Sequence, residues 1–281
     1  MTPMASDRIT TSPAAGEGCG LSTSSKTSGP PVAAISTACM VTIISDCGVC
    51  MKLARPDIFH PRIVLAGDPR RDDDDSDPGD DAGLVHALRH RGLHARRLPW
   101  DDPETLEADL VILRSAGGEP ERRAEFTAWT KRVRNLLNPP EVVAWNADPR
   151  YLADLQCDGV PTAPGAATAR TALVFFGAGR SHAFGAAGGD PDFELWDLGR
   201  AALRAAAERL SIRIEELLYA RAEVTGAGAD TRLVGLDLVA PDLGWGELGA
   251  DECDRAQRRF AREVTSALDR LGLGPLAQRR P

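Results

Sequence analysis

Leu217 to Trp245 reads LLYARAEVTGAGADTRLVGLDLVAPDLGW, two apolar runs broken by a glycine-rich turn, which predicts an antiparallel hairpin. Side chains alternate along a strand. Tyr219, Arg221 and Glu223 therefore share one face, and Leu218, Ala220, Ala222 and Val224 the other. In the second strand Val234, Leu236 and Leu238 form the apolar face, which leaves Gly235 and Asp237 opposite. A carboxylate among aliphatic strand residues is costly to bury unless it is paired or holds a cation. Glu223 and Asp237 are thus candidate ligands for Mg²⁺, and Arg221 is the candidate catalytic residue, suited to a phosphate. A structural salt bridge between Arg221 and Asp237 is the competing reading of the same pattern.

Upstream, short apolar runs alternate with helical periodicity. RIVLAG (62–67), HARRLPW (94–100), DLVILRS (109–115) and EVVAWN (141–146) read as strands, the third being a clear buried one. Between them lie a helix carrying Leu84, Val85, Ala87 and Leu88 and closed by Gly92, and a helix over 120–134 carrying Phe126, Trp129 and Val133. A further helix is expected over 147–157, with Tyr151, Leu152 and Leu155. Strand–helix alternation predicts an α/β fold with a doubly wound, mostly parallel sheet. In such a sheet a ligand crevice opens at the carboxyl ends of the strands. That places Asp68, Arg114, Ser115 and Asn146 beside it, the last three as candidate cofactor-binding residues.

Downstream of a Pro/Gly/Ala/Thr connection (159–171), TALVFF (171–176) reads as a strand and GAGRSHAFGAAGGD as a connection. Asp190 and Pro191 would cap and open a helix over 191–210. A last helix runs from about Ala250 to Leu271, with Phe260, Val264, Ala267, Leu268 and Leu271 as its apolar stripe and Gly272 as its stop.

The first 58 residues are of another kind, rich in Ser, Thr, Gly, Ala and Pro without apolar periodicity, and are expected to be a disordered tail. Met40 and Met51 allow an internal start. Cys47 and Cys50 have C-x-x-C spacing but neither a strand–helix context nor a second ligand pair, so chance spacing is the expectation. The Asp-rich run between 72 and 81 repels itself and reads as a solvated loop, with Asp80 or Asp81 capping the helix that follows. A net charge of −8 argues against a nucleic-acid backbone binder. No apolar run is long enough to span a bilayer, and four of the six cysteines crowd the tail instead of forming a regular framework. A cytoplasmic protein with no membrane partner is expected.

Several of these segments, in order, resemble actinobacterial ATP-grasp ligases of the RimK-like and cycloserine-synthase (O-ureidoserine cyclo-ligase) type. The carrying residues are DLVILRS (109–115), EFTAWTKRV (125–133), LLNPPEVVAWNAD (136–148), RYLADL (150–155), GVPTAP (159–164), TALVFFGAGRSHA (171–183) and the two hairpin strands. Beyond the tail of 1–58, the resemblance implies a pre-ATP-grasp-like α/β domain over 59–164 and a shortened α+β ATP-grasp remnant over 165–275. It also makes Ser181 and His182 candidate cofactor-binding residues.

The departures bear on function. Pro149 stands where the family's NADK motif carries a phosphate-binding lysine, and about ten residues replace a middle subdomain that supplies a second lysine and a glycine-rich loop. RSAGGE (114–119) stands where the family has RSxWDY, and Gly235, Asp237 and Ala240 stand where it has glutamates. Acyl-phosphate chemistry needs that charge neutralisation. The expectation is an ATP-grasp-related protein that is degenerate and lacks efficient ligase activity, with ATP and Mg²⁺ held weakly or lost. The alternatives are a working ATP- and Mg-dependent carboxylate–amine ligase that forms an amide through an acyl phosphate, and a truncated gene product without a selected function. The ligands implied are a nucleotide and a small carboxylate or amino-acid-like molecule. The oligomeric state is not readable.

Overall fold

The computed structural model describes residues 59–68, 81–115, 120–165, 169–185 and 190–274. The expected tail, Cys47 and Cys50, and the Asp-rich run up to Asp80 lie outside these residues. The first sheet contains β1 (Ile63–Gly67), β2 (Ala95–Pro99), β3 (Leu110–Leu113) and β4 (Leu136–Leu137), all parallel in the order β2-β1-β3-β4. β1, β3 and β4 are buried on both faces, which is why they read as unbroken apolar runs, whereas β2 at the edge is buried only at Ala95. Ile63, Leu65, Leu110 and Ile112 pack toward α1 (Ala82–His90) and α6 (Ala250–Arg270). Val64, Ala66, Val111 and Leu113 face Trp100 and the Phe126–Trp129 pair of α2 (Arg123–Thr130). As expected, Phe126, Trp129 and Val133 are core residues.

The second sheet is antiparallel, with β5 (Thr171–Phe176), β6 (Gly179–Gly185), β7 (Tyr219–Thr225) and β8 (Arg232–Asp237) in the order β6-β5-β7-β8. One face carries Leu173, Phe175, Ala220, Ala222 and Leu236 against α5 (Phe193–Arg209). The other carries Val174, Phe176 and Tyr219 into the same core as β1, α1 and α6. Pro161 and Ala163 exchange backbone hydrogen bonds with Leu233, so the Pro-rich connection lies along β8.

Several expectations are corrected. EVVAWN is not a strand but α3 (Pro140–Asn146), and the fourth strand is the two-residue Leu136–Leu137 before it. Pro140 sits in the first helical turn with Glu141 beside it, where proline's missing N–H costs nothing and a carboxylate suits the helix dipole. Those start signals outweigh the strand preference of Val142 and Val143. The next helix, α4 (Tyr151–Cys157), begins later than expected, and α2 is shorter. GRSHAFG is not a connection but β6, turned back on β5 at Gly177, whose φ of 57° suits glycine. Asp192, not Asp190, occupies the N-cap position of α5. Leu271 is 41% exposed and lies off the α6 stripe. Asp81 does stand at the N-cap position of α1, but its side chain makes no capping hydrogen bond; it turns inward instead.

Candidate functional site

The hairpin register puts Arg221 directly across from Asp237. Strand alternation leads Tyr219 into the core while Arg221 and Glu223, further along the same face, reach a cleft of about 500 Å³. A bulge between Glu223 and Val224 pairs Glu223 with Gly235 and Val224 with Leu233. The extra residue changes which way the side chains face: Leu233 and Leu236 pack into the core against α5, whereas Val234, also buried, borders the cleft with Gly235. The expected grouping of Val234 with the core-facing residues is corrected accordingly.

The charges in this cleft are closely coupled. The Arg221 guanidinium lies 3.2 Å from Glu223 through Nη2, and the same nitrogen is 3.8 Å from Asp237. Its Nη1 is 3.9 Å from the Asp242 carboxylate. Arg170 approaches Glu223 from the other side at 3.2 Å. Arg221 Nε is buried with no hydrogen-bond partner among the described residues. The Val239 N–H donates to Asp237 Oδ1 at 3.0 Å. Burial nevertheless holds the Asp237 carboxyl above the usual carboxylate range, with that N–H and Arg221 pulling the other way. Across the cleft stand Arg123, Tyr151 and Asn146.

The other sequence candidates have different surroundings. Asn146 donates through Nδ2 to the Leu236 carbonyl at 2.9 Å and accepts from Leu238 N–H at 2.7 Å, a two-point clamp on β8. Arg114 is buried, pairs with Asp81 at 2.7 Å and lies 5.8 Å over the Tyr219 ring. Ser115 follows it, half-buried, just beyond β3. Ser181 and His182 are on β6 and do not line the hairpin cleft. Ser181 Oγ lies 2.9 Å from His182 Nδ1, and His182 Nε2 lies 2.6 Å from the Leu243 carbonyl. The carbonyl only accepts, so Nε2 carries the proton and Nδ1 accepts from the serine hydroxyl. The structure thus joins Arg221, Glu223, Asp237 and Asn146 in one cleft and separates them from Ser181 and His182.

His182 is 4% exposed, and burial lowers its pKa, only partly opposed by the Leu243 carbonyl and Glu252. The unfolded chain then takes up a proton near pH 6.5 that the folded chain refuses. Stability is present above about pH 6.5 and is lost as pH falls from there toward the lowered pKa. Melting temperature should decline from pH 7 to pH 5.5, and His182→Gln should flatten that decline. An unchanged slope in the variant would remove His182 as its source.

The donor set does not fit a bound Mg²⁺. No group of three or more His, Cys, Asp or Glu side chains able to hold a metal occurs among the described residues. Glu223 and Asp237, on neighbouring strands, already share the Arg221 guanidinium. Sequence reasoning missed Asp242, Arg123 and Tyr151 as cleft neighbours. Tyr151 was readable only as a helical apolar residue, and its hydroxyl accepts from Leu236 N–H at 3.2 Å.

Comparison with known proteins bears on the same elements. Residues 63–138 match the family model of the D-cycloserine synthetase DcsG N-terminal domain. The cycloserine biosynthesis protein DcsG of Streptomyces lavendulae is 38% identical over 86 residues, a match spanning 29% of this chain and 29% of that protein. The crystal structure of D-cycloserine synthetase DcsG superposes with a TM-score of 0.59 at 22% identity, over 74% of this chain and 99% of that one. D-alanine–D-alanine ligase from Bacillus anthracis, complexed with ATP, superposes with a TM-score of 0.51 at 10% identity, over 75% and 98% of the two chains. No helix among the described residues is long and apolar enough to cross a membrane. The chain has the fold seen in the D-cycloserine synthetase DcsG, and residues 63–138 are similar to the N-terminal domain of that protein.

Proposed function

We propose that this protein is a degenerate ATP-grasp relative whose hairpin cleft no longer supports efficient ATP-dependent ligation. One observation carries the reading: Arg221 stands among Glu223, Asp237 and Asp242, at the position a cation would need. A guanidinium there neutralises the carboxylates that would hold Mg²⁺, and a nucleotide brought in with its metal loses the anchor that aligns its phosphates. Pro149, where related ligases carry a phosphate-binding lysine, supports the same conclusion. In this reading the domain boundaries fall near residue 164, and the second sheet is the remnant of the catalytic half.

A second reading, a carboxylate–amine ligase taking a nucleotide and a small carboxylate or amino-acid-like substrate, is favoured by the cleft itself. At about 500 Å³ it is large enough for a small ligand, and Arg123 on its rim could meet a substrate carboxylate.

Melting curves with millimolar Mg·ATP separate the two, because a ligand that binds only the folded state raises its stability. The degenerate reading expects no resolved shift and no ADP release across an amino-acid panel. A clear upward shift together with ADP release would establish the second. Arg221→Gln sharpens the comparison. Freed of the guanidinium, Glu223 and Asp237 should bind Mg²⁺ about tenfold more tightly by calorimetry, a change of ~1.4 kcal/mol. Unchanged Mg²⁺ affinity in that variant would show that Arg221 is not what excludes the metal.

A further inference from the structure

A second concavity, of about 890 Å³, lies between α1 and α6, with Ser181 and His182 of β6 in its wall, and shares no lining residue with the hairpin cleft. Five arginines line it against two carboxylates, Glu252 and Asp254, in a chain whose formal net charge is −8. Helix α6 supplies four of the arginines. Arg255, Arg259 and Arg262 follow i, i+4, i+7 spacing and so share one helical face. At 1.5 Å rise per residue their backbone positions span roughly 10 Å. Arg91, at the end of α1, stands across from them with its Nε on Thr265 Oγ1 at 3.3 Å, and His86 and His90 continue the wall.

The ion-pair pattern is uneven. Arg258 is paired with Asp254 at 2.8 Å. The side chains of Arg255, Arg259 and Arg262 have no hydrogen bond or salt bridge among the described residues, although elsewhere in the fold arginines are repeatedly paired. Arg259 is also partly desolvated, packed over Gly179 at the β5–β6 turn. Burial lowers its pKa more than the nearby Glu263 raises it, yet a guanidinium remains charged at neutral pH. A half-buried guanidinium with no ion-pair partner leaves donors that a bound anion would satisfy.

We infer that the α1–α6 groove is a binding site for a small organic polyanion carrying at least two phosphate groups. Guanidinium forks match phosphate oxygens in bidentate geometry, and a row of three along one helix face suits phosphates separated within one molecule better than a single one. The concave shape favours a small ligand over a flat bilayer, and the acidic chain as a whole disfavours a nucleic-acid backbone. The site is independent of the hairpin cleft and of its metal chemistry.

Calorimetric titration of the full chain with sodium pyrophosphate, without divalent metal and against chloride at matched ionic strength, tests this. Saturable binding is expected, weakened at least ~tenfold in Arg255→Gln/Arg262→Gln and partly restored in the corresponding double lysine variant. Both positions are exposed, so the variants should melt like the parent. Asp237→Asn, in the other cleft, should bind pyrophosphate as the parent does. The inference is overturned if pyrophosphate gives no heat beyond matched chloride, if the double glutamine variant binds equally well, or if binding is lost in Asp237→Asn. It is likewise overturned if a single-stranded oligonucleotide or phosphatidylserine vesicles displace pyrophosphate at lower concentration.

Discussion

Asn138→Ala should lower folding stability by about 3–5 kcal/mol, since each buried partner left without a hydrogen bond costs about 1–3 kcal/mol. Asn138 is completely buried and follows β4 directly. Its Nδ2 donates to the Tyr219 carbonyl at 3.0 Å and the Leu238 carbonyl at 2.9 Å, and its Oδ1 accepts from Leu218 N–H at 2.7 Å. One side chain thus joins the end of the parallel sheet to both strands of the hairpin. Among the described residues no backbone ladder connects the two sheets, so these bonds, with the Tyr219 hydroxyl donating to the Leu113 carbonyl at 2.8 Å, hold the hairpin in register against β3 and β4. Alanine removes one donor group and one acceptor and leaves three backbone groups facing each other in an apolar setting. Urea denaturation measures the effect, and a loss below ~1 kcal/mol would mean that the backbone repairs the gap by moving. Tyr219→Phe, which deletes one hydroxyl and keeps the ring, should cost only about 0.5–1.5 kcal/mol.

The unequal visibility of these features in the sequence has a physical reason. Periodicity reports which side of an element is apolar, so β1, β3, β5 and the stripes of α1 and α6 were readable from Ile63–Gly67, Leu110–Leu113, Thr171–Phe176, Leu84–Leu88 and Phe260–Leu268. The facing of Arg221 and Asp237 was readable because turn and alternation are both local to the hairpin. The bulge at Glu223/Val224 was not, because it depends on how the strand twists against α5 and the Pro161–Ala163 segment. β6 was missed since its glycine-rich, half-polar composition has almost no apolar alternation. The roles of Asn138 and Asn146 depend on partners 80 to 100 and 90 to 92 positions away, a separation that no local pattern encodes. The site followed the same rule: its charged residues could be found, but not that Arg221 would occupy the space between three carboxylates.

Asp81→Ala should cost a further comparable amount, about 3–5 kcal/mol, because it leaves a charge buried without its partner. Arg114 and Asp81 have side chains only 6% and 9% exposed. The guanidinium Nε donates to Asp81 Oδ2 at 2.7 Å, while Asp81 Oδ1 and Arg114 Nη1 have no hydrogen-bond partner among the described residues. The pair joins the start of α1 to the carboxyl end of β3, 33 positions apart. Asp81 gives up helix capping to make it, at the sheet edge where a doubly wound fold ordinarily receives its ligand. Such a pair gains less from its own attraction than it loses when half of it is removed, since desolvation of both ions offsets most of the Coulomb energy. The double variant Asp81→Ala/Arg114→Met separates these contributions. Methionine keeps apolar volume over the Tyr219 ring without a charge to solvate, so the double variant should recover at least half of the stability lost in Asp81→Ala. If both single variants and the double fall equally, the whole loss is coupling between the two charges, and the ion pair itself stabilises the fold. If the losses add, so that the double variant is the least stable of all, Asp81 and Arg114 contribute independently through packing and the pairing itself adds nothing to the architecture.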